Sequence, residues 1–261
     1  MGSTQENKTM HIRNLSLAAL AVAMPTLSTL PALADAYNIV LVHGMNMDGA
    51  SWRPVYDILT EQGYKVSIVQ EPLNGFDRDL HATQLVLDRQ DGPVVLVGHS
   101  YGGVVITTAG NDPKVEALVY VAAFQPAAGE TTGTLNAATP PQLDPASVTI
   151  SEDGFVSISE DGFLKDIAPD LPEVEARFLF SSQTPTTASV FTAETHDPAW
   201  LHKPSYAVLA TEDRVINPEL QRMMYERAGS LVTEIDAGHL VYVSQPEAVA
   251  QVIIEAAQSA D

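Results

Sequence analysis

The chain contains no cysteine. Disulfides, thiolate metal sites and cysteine nucleophiles are therefore excluded. Basic residues are scarce: 13 Lys and Arg stand against 33 Asp and Glu, giving a formal net charge of −20. The acidic residues are spread along the chain rather than gathered in one run, so they read as a solvated surface. Nucleic acid and anionic membranes are poor partners for such a surface. Long apolar runs are missing as well. The best, residues 15–24, is too short to cross a bilayer as a helix. No two histidines fall at helical ligand spacing with a third ligand nearby, so no metal is expected.

What the chain does have is enough apolar residue, 45% of 261, for one sizeable core. Residues 1–34 read as a secretory leader. Lys8, His11 and Arg13 form a weakly basic start, an Ala/Leu-rich run follows, and Ala32-Leu33-Ala34 offers a cleavage site before Asp35. The expected product, residues 35–261, is a single domain that is secreted or periplasmic, with no stable membrane insertion once the leader is removed. Met1 and Met10 are both possible starts.

From residue 38 onward, strand and helix signals alternate. Continuous apolar runs at 38–42, 65–69, 93–97, 115–124, 205–210 and 231–235 read as strands. Helical periodicity appears at 51–62, 77–88, 102–109, from 217 and at 246–257. Runs without polar alternation suit a parallel sheet covered on both faces. The expected class is therefore α/β, a mostly parallel sheet with helices on both faces. Ligands of such sheets sit at the carboxyl ends of the strands.

Residues 126–204 break this rhythm and are rich in Pro, Thr, Ser, Asp and Glu. A β-hairpin is expected around Asp153-Gly154. Ser159-Glu160-Asp161-Gly162-Phe163 repeats Ser151-Glu152-Asp153-Gly154-Phe155 and reads as a local duplication. An insertion of this size is expected to form a lid over the strand ends. Its apolar residues Phe155, Phe163, Phe178, Phe180, Phe191, Trp200 and Leu201 are candidates for a substrate pocket.

The chemistry centres on Gly98-His99-Ser100-Tyr101-Gly102, which follows an apolar strand and precedes a helix. This is the context of a G-x-S-x-G nucleophile elbow, a strained turn that presents the serine at the sheet edge. A serine hydroxyl needs a base, and the base needs an orienting acid. His239, in the turn after the last strand, is the best base of the seven histidines. His43 and His99, directly before Gly44 and Ser100, read as structural. For the acid, Asp213, Glu212 and Asp236 compete. Asp213 is preferred because Asp236 lies too close in sequence to reach the His239 ring and Glu212 points the other way. The backbone N–H groups of Tyr101 and Met45 are the expected oxyanion donors.

Several motifs together resemble the α/β-hydrolase superfamily: Val42-His43-Gly44, Gly98-His99-Ser100-Tyr101-Gly102-Gly103, Thr211-Glu212-Asp213-Arg214 and Gly238-His239. More closely, the runs at 41–44, 49–52, 96–103, 119–126 and 244–246 resemble a bacterial esterase branch related to plant methyl esterases and hydroxynitrile lyases. The resemblance implies an α/β-hydrolase fold and a cofactor-free serine hydrolase acting on a small-molecule ester through an acyl-enzyme. The lyases of that branch carry a lysine after the catalytic histidine and lack the glycine of His-Gly. This chain has Leu240 and Gly44 there, which favours the esterase. A hydroxynitrile-lyase-like enzyme and a slow-turnover, receptor-like binding protein are the alternatives.

Overall fold

The computed structural model describes residues 1–2 and 38–259. The expected leader and its cleavage site therefore lie almost wholly outside the described residues.

Six parallel strands form the central sheet: β1 (Asn38–Val42), β2 (Lys65–Ile68), β3 (Val94–His99), β4 (Val115–Val121), β8 (Ser205–Ala210) and β9 (Leu231–Ile235). Their spatial order is β2-β1-β3-β4-β8-β9, and every neighbouring pair is parallel. Parallel neighbours need crossovers. The helices α1 (Arg53–Glu61), α2 (Phe76–Asp88), α3 (Gly102–Ala109) and α7 (Pro218–Ala228) supply four of them, the segment between β4 and β8 supplies the fifth, and the terminal helix α9 (Pro246–Gln258) joins in covering the sheet.

Side chains alternate across a strand, so each strand feeds two cores. Ile39, Leu41, Val95, Val97, Val119 and Val208 pack with Val55 and Leu59 of α1 and Val249 and Ile253 of α9. Val40, Val42, Leu96, Leu118 and Leu209 pack with Leu87 of α2, Val105 of α3 and Leu220 and Met224 of α7. This is why the strands read as unbroken apolar runs. The edge strand β9 buries far less, and Leu231 stays 64% exposed.

One boundary differs from expectation. The apolar run 115–124 is not all strand, because β4 ends at Val121 and Ala122 has φ 42°. The chain turns there so that the Phe124 amide can donate to the Ser100 carbonyl at 3.2 Å.

Residues 126–204 fold against the carboxyl edge of the sheet. They contain α4 (Thr132–Ala138), a hairpin of β5 (Val148–Ile150) and β6 (Phe155–Ile158), the single turn α5 (Glu160–Gly162) running into a π-turn at Phe163–Ile167, and α6 (Glu173–Ser181). A two-residue strand β7 (Thr186–Thr187) completes a small antiparallel sheet, β5-β6-β7. Asn46, in the loop after β1, joins this sheet to the body. Its amide donates to Thr186 Oγ1 at 2.9 Å and its Nδ2 to the Val156 carbonyl at 3.1 Å. The short helix α8 (Val241–Ser244) precedes α9.

Candidate active site

Ser100 sits between β3 and α3 with φ 53°, a left-handed conformation that costs a non-glycine residue free energy. The surroundings enforce it. The Ser100 carbonyl accepts from the amides of Gly103 at 3.0 Å and Phe124 at 3.2 Å. A Cβ at Gly98 would lie 2.6 Å from the Gly102 carbonyl oxygen, so the turn cannot close around a larger residue. Strain held by such contacts aims the hydroxyl into a cavity that Ser100 shares with His239.

Asp213 and His239 come from the loops after β8 and β9. Their side chains meet at 2.8 Å, His239 Nδ1 to Asp213 Oδ2. A carboxylate only accepts, so Nδ1 carries the proton and Nε2 is left bare. Asp213 is fixed by three further bonds. Its Oδ1 accepts from the amides of Val215 at 2.7 Å and Ile216 at 3.0 Å, and its Oδ2 accepts from Gln221 Nε2 at 2.8 Å. Gln221 was not foreseen, because a glutamine inside a helix carries no motif. The other two candidate acids stand elsewhere: Glu212 is exposed, and Asp236 accepts from Thr211 Oγ1 at 2.8 Å. No hydrogen bond joins Ser100 Oγ to His239 in this structure; the two side chains meet as walls of one cavity. Hydrogen bonds of this kind often tighten only when substrate is bound.

The loop carrying Met45 packs directly on the serine. A Cβ at Gly44 would stand 2.8 Å from Ser100 Cβ, so this approach requires glycine. Among the described residues, neither the Met45 nor the Tyr101 amide donates to a protein acceptor. Both remain available to a ligand oxygen.

His43 and His99 are locked into the framework. His43 Nε2 accepts from the Glu71 amide at 3.0 Å, so its proton is on Nδ1, which donates to the Gly44 carbonyl at 3.0 Å. His99 Nε2 donates to the His239 carbonyl at 3.0 Å. Burial lowers the pKa of His43. Burial, with the neighbouring His239 charge, takes His99 well below the ordinary range. Beneath the elbow, Tyr101 donates its hydroxyl to Asp79 Oδ2 at 3.0 Å. Burial pushes the Asp79 carboxyl up to about 6, against the opposing pull of the Tyr101 hydroxyl and Leu73 amide. Burial and the Asp79 charge raise Glu71 well above the usual carboxylate range.

The cavity measures about 200 Å³. Phe163 and Phe191 line it, but the other five expected pocket residues do not. Phe155 is corrected by strand alternation: in β6 it points outward while Val156 is buried. Phe180 stands one layer back, edge-on to Phe163 at 5.8 Å between ring centroids. Trp200 donates its Nε1 to the Pro126 carbonyl at 2.9 Å and is held away from the cavity. Phe178 and Leu201 are exposed. The remaining wall includes Met47, Phe124, Leu143, Val148, Ile158, Val215 and Leu240. Val148 and Ile158 pair across the hairpin, so they share a face that alternation alone could have revealed. Among the described residues, no three His, Asp or Glu stand together as a metal site.

Comparison with known proteins finds a match over residues 39–252 to the model of the alpha/beta hydrolase family. A pyrethroid hydrolase from Sphingobium wenxiniae is 29% identical over 250 residues, covering 85% of this chain and 88% of that protein. A carbendazim hydrolyzing esterase from a Nocardioides species is 32% identical over 121 residues, 41% of this chain and 50% of that one. Among solved structures, polyneuridine aldehyde esterase superposes with a TM-score of 0.73 at 18% identity, over 84% of this chain and 98% of that one.

Proposed function

The chain belongs to the alpha/beta hydrolase family, and we propose that it is a carboxylic ester hydrolase whose acyl-enzyme forms on Ser100. The observation that carries this reading is the strained Ser100 opening onto the same cavity as a His239 whose Nδ1 is held by Asp213. Relatives named as a pyrethroid hydrolase and a carbendazim hydrolyzing esterase support ester cleavage.

In this mechanism Ser100 Oγ attacks the ester carbonyl while His239 Nε2 removes its proton. Asp213 keeps the proton on Nδ1 and stabilises the imidazolium. The carbonyl oxygen becomes an oxyanion against the Met45 and Tyr101 amides, each such donor lowering the barrier by about 3–4 kcal/mol. His239 then protonates the departing alcohol. Water, activated by the same ring, releases the acid and restores the serine. Leu240 stands at the cavity wall directly after His239, so no cation is there to stabilise a departing cyanide. This favours ester hydrolysis over cyanohydrin cleavage. The leader-like 1–34 segment adds export to the reading.

Replacing Ser100 with alanine tests the proposal. Turnover of p-nitrophenyl acyl esters by the purified variant is expected to fall by about 10⁴-fold or more. Retention of most of the activity would overturn it.

A further inference from the structure

The cavity wall carries two polar side chains besides His99, Ser100 and His239: Asn46 and Asn136. Asn46 has a structural task, tying the loop after β1 to the small sheet. Asn136 has none. Its Oδ1 is buried without a partner, and among the described residues its carboxamide makes no hydrogen bond. A buried polar group without a partner is destabilising, and such groups call for an explanation. Helix propensity offers none, since asparagine is a poorer helix former than alanine or leucine.

The helix that carries Asn136 is held firmly. Thr131 and Thr134 form a capping box at its start, Leu135 is buried, and a Cβ at Gly133 would meet the Phe191 carbonyl oxygen at 2.9 Å. The carboxamide is therefore a positioned hydrogen-bonding group in an apolar chamber. No Lys, Arg, Asp or Glu lines that chamber, so a charged substituent would be buried there without a counter-ion.

We propose that Asn136 is a specificity-determining residue. It selects uncharged, largely apolar esters that carry one further hydrogen-bond donor, a hydroxyl or an amide N–H, able to donate to the buried Asn136 Oδ1. This rests on the ester-hydrolase reading above and adds a substrate class to it.

The test uses matched ester pairs, all-carbon against the same chain with one hydrogen replaced by a hydroxyl at successive positions, with the methyl ether of each hydroxy ester as the non-donating control. One series varies the acyl chain of p-nitrophenyl esters, a second the alcohol half. Each kcat/KM ratio is divided by the ratio for alkaline hydrolysis, which removes intrinsic reactivity. Both substrates meet the same enzyme preparation, so the ratio is independent of the fraction that is folded. The wild type is expected to favour a hydroxy ester by about tenfold at one position and not its methyl ether. Asn136→Leu and Asn136→Ala should both lose that preference. Equal ratios in wild type and both variants at every position would overturn the inference while leaving the hydrolase reading intact. Unimpaired turnover of either ester by Ser100→Ala would instead overturn that reading.

Discussion

The two halves of the cavity wall are built by different means. The half at the sheet edge is fixed by backbone. Ser100 is set by its turn and by two amides on its carbonyl, and Asp213 by two amides and Gln221. The half from residues 126–204 is fixed by contacts, two of them through aspartate side chains, with residues far along the chain. Asp166 accepts from Arg214 Nε at 2.6 Å. Asp170 accepts from the Gly238 amide at 3.0 Å and from Ser244 Oγ at 2.6 Å. The amides of Gln142 and Leu143 both donate to the Arg214 carbonyl at 2.8 Å. Residues next to Asp213 and His239 thus also hold the inserted segment. The chemistry should therefore reside in one half, with fit and attachment in the other.

The largest effect should come from the sheet edge. Asp213→Asn is nearly isosteric, but its amide cannot hold His239 in the tautomer that leaves Nε2 bare. We expect kcat to fall by about 10³- to 10⁴-fold in a protein that still folds. Steady-state kinetics and circular dichroism on one preparation would check this. A fall smaller than tenfold would erase the contrast, because the sheet edge would then not be the chemical half.

A smaller effect separates two buried aspartates by the direction of their pH response. Burial alone would raise the Asp166 carboxyl, but the Asp144 amide and Arg214 guanidinium outweigh it and hold it below the ordinary range. A depressed carboxylate stabilises the fold at neutral pH, and that stabilisation is lost as pH falls through its folded pKa. Asp79 is raised from 3.8 to about 6. Its ionisation therefore opposes folding, a cost that is absent below about 3.8, grows as pH rises to about 6 and is constant above. Asp166→Asn should lose about 2 kcal/mol at pH 7, with the gap to wild type closing towards pH 3. Asp79→Asn should gain up to about 3 kcal/mol at pH 7 and nothing near pH 4. Thermal melts across that range would show opposite slopes. Slopes of one sign would mean that the two carboxyls do not differ as their partners imply.

The same division explains what could be read from the chain. The strands, the elbow and the two loops after β8 and β9 are local features, each written in contiguous residues with a steric or hydrogen-bonding reason. The order of the strands is not, since it depends on which apolar runs pair. Asp166 and Asp170 escaped because each acts on a residue distant in sequence, and Gln221, though only 8 residues from Asp213, because it sits in no motif. Two of six expected pocket aromatics reach the cavity. Composition marks a residue as apolar, but strand alternation and packing decide which way it faces.

The duplicated pentapeptide isolates that last point. In Ser151-Glu152-Asp153-Gly154-Phe155 the Gly154 amide donates to the Ser151 carbonyl at 2.9 Å, and Gly154 turns the hairpin at φ 81°. In Ser159-Glu160-Asp161-Gly162-Phe163 the Ser159 hydroxyl instead caps a helical turn, and Gly162 has φ −66°. Identical residues thus take two conformations because their neighbours differ. Gly154 has open space around it, whereas a Cβ at Gly162 would meet Ser147 Cβ at 2.2 Å. The two alanine substitutions should therefore fail for different reasons. Gly154→Ala strains a left-handed backbone and should cost about 1 kcal/mol. Gly162→Ala has an acceptable backbone but overpacks the wall beside Phe163, which should cost about 1–3 kcal/mol. Ser147→Gly removes the clashing atoms, so adding it should recover much of the loss at Gly162 and none of the loss at Gly154. Denaturant melts of the single and double variants would decide this. Equal rescue at both sites would mean that tertiary contact is not what divides the two copies.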